Sequence, residues 1–138
     1  NWSAYGYRLP TEMEWMYAAR GGNQTHAYTY SGSNNISIVA WYYTNSSGAT
    51  HVVGTKTANE LGLYDMSGNV WEFVWDIYGD YPSSNQTNPH GAVTGVARGL
   101  RGGAWNTSSN NCGVMYREYY EAQASHYSIG FRVCRRAP

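Results

Sequence analysis

The sequence predicts one α+β domain with short strands and much ordered loop. Three observations indicate this class: a helix pattern at residues 8–22, an alternating strand pattern at 70–75, and long connections rich in Gly, Asn and Ser. A chain of 138 residues has the size of a single domain, which we place at 1–138. Long ordered loops on a small scaffold usually carry function.

The predicted helix, RLPTEMEWMYAARGG, has a signal at each end. Thr11 is a good N-cap, and Glu14, three residues later, completes a capping box. The glycines at 21–22 stop the helix. Trp15, Ala18 and Ala19 recur at helical spacing and predict one buried face.

Strands are predicted at 70–75, 100–105 and 128–133, and the triplet SGN at 67–69 predicts a tight turn. The run SIVAWYY at 37–43 fits either a strand or a packed loop. In the first strand, VWEFVW, side chains alternate between two sides. We predict that the aromatic side faces the core, and it consists of Trp71, Phe73 and Trp75.

Composition limits the function classes. Nine basic and nine acidic residues give a net charge of zero, which argues against a nucleic-acid partner because phosphate binding needs a basic face. No apolar run reaches transmembrane length. The 14 Tyr, 6 Trp and 16 Gly are typical of a surface that binds a protein or glycan ligand, or of an extracellular bacterial domain with an aromatic bias.

No catalytic residue is predicted. The four histidines are scattered without metal or triad spacing, and no G-x-S-x-G elbow occurs. The two cysteines, Cys112 and Cys134, match no zinc motif and form either one disulfide or two thiols. We expect Cys112 to be a buried packing residue.

The segment 101–133 contains two kinds of sequence. Its ends, LRGGAW and SIGFRV, look like core strands, whereas its middle is a run of Tyr, Ser, Asn and Glu without apolar periodicity. Large aromatic rings in a polar run indicate a surface used for contact, and the alternative is a polar loop without a role.

The blocks RLPTEMEWMYAARGG, GLYDMSGNVWEFVWD, LRGGAW and IGFRV resemble, in order, the signatures of the formylglycine-generating-enzyme-like domain, a branch of the C-type lectin fold. The resemblance covers nearly the whole chain and implies that fold. Family domains usually have more sequence before the RLPTE helix, so an N-terminal part is expected to be missing here.

One function on that fold is oxidation of a sulfatase cysteine to formylglycine. The resemblance implies that it needs two cysteines that bind copper(I), at positions matching Thr107 and Cys112. A single thiol cannot supply two soft ligands, which disfavours this oxidase and the related sulfoxide synthases. A lectin with a fixed site is a further alternative, although the chain lacks a Glu-Pro-Asn triplet.

The second function is that of the variable proteins of diversity-generating retroelements. These proteins resemble this chain in carrying a mutable segment, here about 104–128, between an RGG-[SA]-W strand and an IGFR strand. Mutation at template adenines turns Asn codons into Tyr, Ser, Thr, His and Asp codons. The resemblance implies a receptor or adhesin on the bacterial cell surface or outside the cell, lipoprotein-anchored through the missing N-terminal part.

The resemblance and the composition together predict the ligand-binding residues. These are Asn106, Ser108, Asn110, Asn111, Gly113, Met115, Tyr116, Glu118, Tyr119, Tyr120, Glu121, Ser125, His126, Tyr127 and Ser128. The four tyrosines are the expected hot spots, and we expect their replacement by Ala to remove binding with little effect on the melting temperature. Glu118 and Glu121 are expected to select basic groups.

No cofactor is expected to be required. The resemblance does imply a structural calcium site made by the side chains of Asp65 and Glu72 and the carbonyls of Gly68 and Val70. Carboxylates and carbonyls around a tight turn suit calcium. The alternative is that Glu72 pairs with an arginine and Asp65 caps a turn.

Overall fold

The computed structural model describes residues 5–136 and confirms the α+β class. Two helices, two short 3₁₀ turns and four strands are joined by long loops. The elements are α1 (Glu12–Ala19), a 3₁₀ turn (Gly22–Gln24), α2 (Ile36–Val39), β1 (Trp71–Ile77), β2 (Ala97–Arg101), a second 3₁₀ turn (Ser109–Cys112), β3 (Arg117–Glu121) and β4 (Ile129–Phe131).

Helix α1 has the predicted capping box. The Thr11 hydroxyl accepts from the Glu14 N–H at 3.2 Å, and the Glu14 carboxylate accepts from the Thr11 N–H at 2.8 Å. The helix ends as predicted, because the chain turns into the left-handed region at Gly21, where φ is 85°. Trp15 and Ala19 are buried in a core cluster, as expected.

The four strands form one mixed sheet in the order β3-β2-β1-β4. β2 pairs antiparallel with β1 and β3, whereas β4 pairs parallel to β1 with Trp71 opposite Ile129. The two sheet faces have different neighbours. Val74 packs under α1 on one face, and Trp71 and Leu100 form a second cluster on the other.

The prediction that the aromatic side of β1 faces the core is wrong in part. Val74, on the opposite side, is fully buried, whereas Trp75 is exposed. Glu72 and Asp76 are buried on the same side as Val74. Each carboxylate accepts a hydrogen bond there, which offsets the cost of removing it from water. The aromatic side instead faces the segment that contains β3.

Two further elements differ from the prediction. The ambiguous run at 37–43 forms the end of α2 and then an irregular loop. Strand β3 was not predicted at all. It pairs with β2 over five residue pairs through main-chain atoms, which require no apolar alternation. The turn at 67–69 is confirmed by φ values of 76° at Gly68 and 65° at Asn69.

Candidate ligand-binding site

Arg101 fixes the main chain at the start of β3. Its guanidinium donates to three successive carbonyls, those of Val114 at 2.7 Å, Met115 at 3.3 Å and Tyr116. The side chain is fully buried, and it lies over the Trp15 ring at 5.1 Å. These bonds use only backbone atoms of 114–116, so they hold for any side chains at those positions.

Scaffold groups hold the rest of the segment in the same way. The Ser67 hydroxyl donates to the Cys112 carbonyl at 2.8 Å, and the Val114 N–H donates to the Thr29 carbonyl at 2.9 Å. At the far end the Trp71 N–H donates to the Ser128 carbonyl at 2.9 Å. The path of the segment is therefore set mainly by main-chain contacts with the scaffold.

Strand β3 directs the predicted side chains to both faces of the sheet. Arg117 and Tyr119 lie on the α1 side, where the Tyr119 ring packs on Tyr78 with centroids 4.7 Å apart. Glu118 and Tyr120 point to the opposite side. The strand therefore presents side chains on two surfaces that meet at its exposed edge.

The four predicted hot-spot tyrosines fall into two pairs. Tyr119 and Tyr127 are 53% and 72% exposed. Tyr116 and Tyr120 are half-buried and pack against the cluster around Leu100. Two of the rings cover core residues, so we expect replacement of Tyr116 or Tyr120, unlike that of the other two, to lower stability.

On the side away from α1, four aromatic rings form a continuous row. The centroid distances are 5.9 Å from Trp105 to Tyr127, 4.2 Å from Tyr127 to His126 and 5.7 Å from His126 to Tyr120. Trp105 was missed in the sequence-based set of site residues, although it lies inside 104–128. Its place directly before the polar run was the available signal.

Taken as a whole set, the predicted ligand-binding residues are mostly accessible. Those classed as exposed are Ser108, Asn110, Met115, Tyr119, Glu121, Ser125 and Tyr127, and those partly exposed are Asn106, Asn111, Gly113, Tyr116, Glu118, Tyr120 and His126. Ser128 is a correction, because it is 2% exposed and its hydroxyl lies 2.9 Å from His126 Nδ1. Its hydroxyl faces the His126 ring and not the surface.

A buried ion-pair cluster lies under β3. Arg117 donates to both carboxylate oxygens of Glu12, at 2.9 and 2.7 Å, and the Arg101 Nε lies 3.8 Å from the same carboxylate. Beside them, burial raises the pKa of Asp76, whose carboxylate accepts the Glu12 N–H at 2.7 Å. The cluster ties the segment to the start of α1.

Cys112 and Thr107 are neighbours, as the resemblance to the oxidase implies for the two copper positions. The Cys112 Sγ lies 3.8 Å from the Thr107 hydroxyl. Cys112 is completely buried, and burial raises its pKa to about 11. Both cysteines are free thiols, and Cys134 contacts the Arg8 guanidinium at 3.1 Å.

Of the two carboxylates expected to bind calcium, one has an open oxygen and the other has both oxygens occupied. Asp65 Oδ2 accepts the Gly54 N–H at 2.8 Å. Its Oδ1 is buried and has no hydrogen-bond partner within residues 5–136, which suits a cation. Both oxygens of Glu72 accept from Arg132 at 2.6 Å, so Glu72 as arranged does not fit the ion. Among residues 5–136, no three His, Cys, Asp or Glu side chains gather into a metal cluster. Calcium binding stays a prediction.

The sequence pattern of the sulfatase-modifying factor enzyme 1-like domain matches residues 1–137. The chain belongs to this family. Its relatives include a formylglycine-generating enzyme of Streptomyces coelicolor, which is 34% identical over 96% of this chain and 48% of its own length. A protein of Paenibacillus barcinonensis named as the chaperone LppX is 38% identical over 98% of this chain and 51% of its own.

Solved structures of family members confirm the C-type-lectin-like fold and the resemblance to variable proteins. Treponema denticola variable protein 1 superimposes with a TM-score of 0.90 at 37% identity, covering 99% of this chain and 50% of the other. CarF superimposes with a TM-score of 0.78 at 31% identity, covering 100% of this chain and 50% of the other. The chain thus spans about half the length of these relatives.

Proposed function

We propose that this family member is a ligand-binding protein, not an enzyme, whose segment 104–128 is diversified by a retroelement through mutation at adenines. The observation that carries the proposal is the main-chain tethering of the segment. Arg101 and Ser67 hold its carbonyls, while most of its side chains remain accessible. Side chains can then change without loss of the backbone path. The likeness to a variable protein supports the same function.

The ligand is a protein or glycan on a partner surface, and the binding protein acts at the bacterial cell surface or outside the cell. Exposed rings such as Tyr119 and Tyr127 supply rigid contact area, and the Ser and Asn residues around them supply adaptable hydrogen bonds. In the described part of the chain, no helix is long and apolar enough to cross a bilayer.

The genomic locus tests diversification. We expect a near-copy of the region encoding 101–133 close to the gene, differing from it at adenines and lying beside a reverse transcriptase gene. A locus without such a copy and without the transcriptase would overturn the diversification part of the proposal.

Binding is tested separately on arrays of glycans and of cell-surface proteins. We expect a signal that disappears in a variant with Met115, Tyr119 and Tyr127 changed to Ala. The matched control changes three exposed apolar residues outside the segment, Tyr5, Val53 and Tyr64, to Ala. Equal losses in both variants would contradict a site in 104–128.

The formylglycine-generating relatives favour an oxidase as the second candidate. The side chains at the two positions that match the copper ligands argue against an oxidase. They are the hydroxyl of Thr107 and, beside it, the buried thiol of Cys112. Soft copper(I) prefers two thiolates. Oxygen consumption that depends on added copper(I), with a cysteine-containing sulfatase peptide present, would favour the oxidase over the binding protein.

A further inference from the structure

The tight turn 104–107 at the head of the segment has its backbone hydrogen bonds made. The Thr107 N–H donates to the Ala104 carbonyl at 3.0 Å, and the Thr107 hydroxyl accepts from the Ala104 N–H at 2.9 Å. The Trp105 N–H donates to Asn69 at 2.8 Å, and the Trp105 carbonyl accepts from the Ser46 hydroxyl at 2.8 Å. The turn is thus rigidly placed.

Two side-chain atoms on this rigid turn have no partner. Trp105 Nε1, a donor, and Asn106 Oδ1, an acceptor, are both buried without a hydrogen bond among residues 5–136. Buried polar groups in folded proteins are almost always paired, so an adjacent donor and acceptor left open call for an explanation. By contrast, the indole N–H groups of Trp15 and Trp41 are bonded at 2.6 and 2.9 Å.

The Tyr127 ring is the aromatic neighbour of Trp105 in this turn. It lies against the Trp105 ring at 5.9 Å, yet it is itself mostly exposed and so can rotate outwards. Its movement would open a slot with an indole ring on one side and a phenol ring on the other. The open donor belongs to the indole that would line this slot, and the open acceptor belongs to the next residue along the chain.

We propose that this slot is a subsite for a planar carboxamide of a protein ligand, such as an Asn or Gln side chain. A carboxamide carries an acceptor oxygen and a donor nitrogen on the same carbon, which complements the donor Trp105 Nε1 and the acceptor Asn106 Oδ1. Its flat group fits between two rings, unlike a puckered sugar. This subsite deepens the proposed function and rests on it for its biological partner.

The test is a titration of the ¹⁵N-labelled chain with three small probes, read at the indole N–H signals. Acetamide offers a donor and an acceptor, N,N-dimethylacetamide offers an acceptor only, and methyl glucoside represents a glycan. We expect acetamide to shift the Trp105 signal with a Kd at least tenfold lower than that of dimethylacetamide, as expected for one lost hydrogen bond. The Trp15 and Trp41 signals, whose donors are occupied, stay still as internal references.

Two variants assign the Trp105 signal and test the role of the Asn106 acceptor. Trp105→Phe keeps a ring and identifies the Trp105 signal by its loss, and Asn106→Ala is expected to abolish the preference for acetamide over dimethylacetamide. The spectrum itself shows that each variant is folded. A Trp105 signal that moves no more than the references, or that responds to methyl glucoside more strongly than to acetamide, overturns the proposal. Neither outcome depends on the gene locus or the arrays, so the proposed function is judged separately.

Discussion

Arg117 and Glu12 form a bidentate ion pair that joins β3 to the first turn of α1. The two residues are 105 positions apart in the sequence. The Glu12 side chain is almost fully buried, so this arginine rather than water supplies the hydrogen bonds to its carboxylate oxygens. The pair places a structural residue in the middle of a segment whose other side chains are mostly accessible.

Loss of Arg117 is therefore expected to be costly. Arg117→Ala leaves a buried carboxylate with only the more distant Arg101, and we expect the free energy of unfolding to fall by roughly 3 kcal/mol. Urea denaturation measures this, with Arg136→Ala, an exposed arginine, as the control. A loss no larger than that of the control would show that the pair adds nothing to stability.

The four tyrosines are expected to separate into two classes. Tyr116→Ala and Tyr120→Ala uncover part of the cluster around Leu100. Each should lower the free energy of unfolding by about 1–2 kcal/mol. Tyr119→Ala and Tyr127→Ala should change it by less than about 0.5 kcal/mol. Thermal and urea unfolding of the four variants are the measurements, and four similar values would contradict the division.

The buried thiol of Cys112 makes stability depend on pH in the alkaline range. Its pKa is about 11 in the folded chain, against an ordinary value of 9.0. Between these values the unfolded chain has lost the proton and the folded chain keeps it, so stability falls as pH rises from about 9 to 11, by up to about 3 kcal/mol.

Urea unfolding at several pH values checks this, with the difference between the wild type and Cys112→Ala as the readout. That difference isolates the thiol from other groups that titrate in the same range. Cys134→Ala is the control and should follow the wild-type curve more closely. If Cys112→Ala had the same alkaline slope as the wild type, the thiol would not be the cause.

Two glycines with nearly equal backbone angles should respond differently to substitution. Gly62 has φ of 74° and open space around it, whereas Gly68 has φ of 76° and a Cβ there would overlap the main chain of Trp41. Gly62→Ala should cost about 1 kcal/mol and Gly68→Ala about 3 kcal/mol or more. Calorimetry on both variants checks the order, and equal costs would show that the turn can relax away from Trp41.

The sequence predicted the elements whose signals are local. The capping box of Thr11 and Glu14, the turn at 67–69 and the strand character of β1 all depend on neighbouring residues, and all are present. Strand β3 could not be predicted, because its side chains alternate between two partly exposed surfaces and its pairing with β2 is long-range. For the same reason the sequence could not separate Tyr116 and Tyr120 from the exposed tyrosines.

The parallel pairing of β1 with β4 has a consequence for the order of folding. Trp71 pairs with Ile129, so the sheet can close only after the chain has passed through all of 104–128. Contacts of such long sequence separation form slowly, since the loop entropy is lost before the contacts are gained. Any sequence at 104–128 that cannot follow the required path delays this closure and leaves the edge of β1 unpaired. A substitution within 104–128 is therefore tested for foldability during synthesis, when such delayed folding exposes the chain to aggregation.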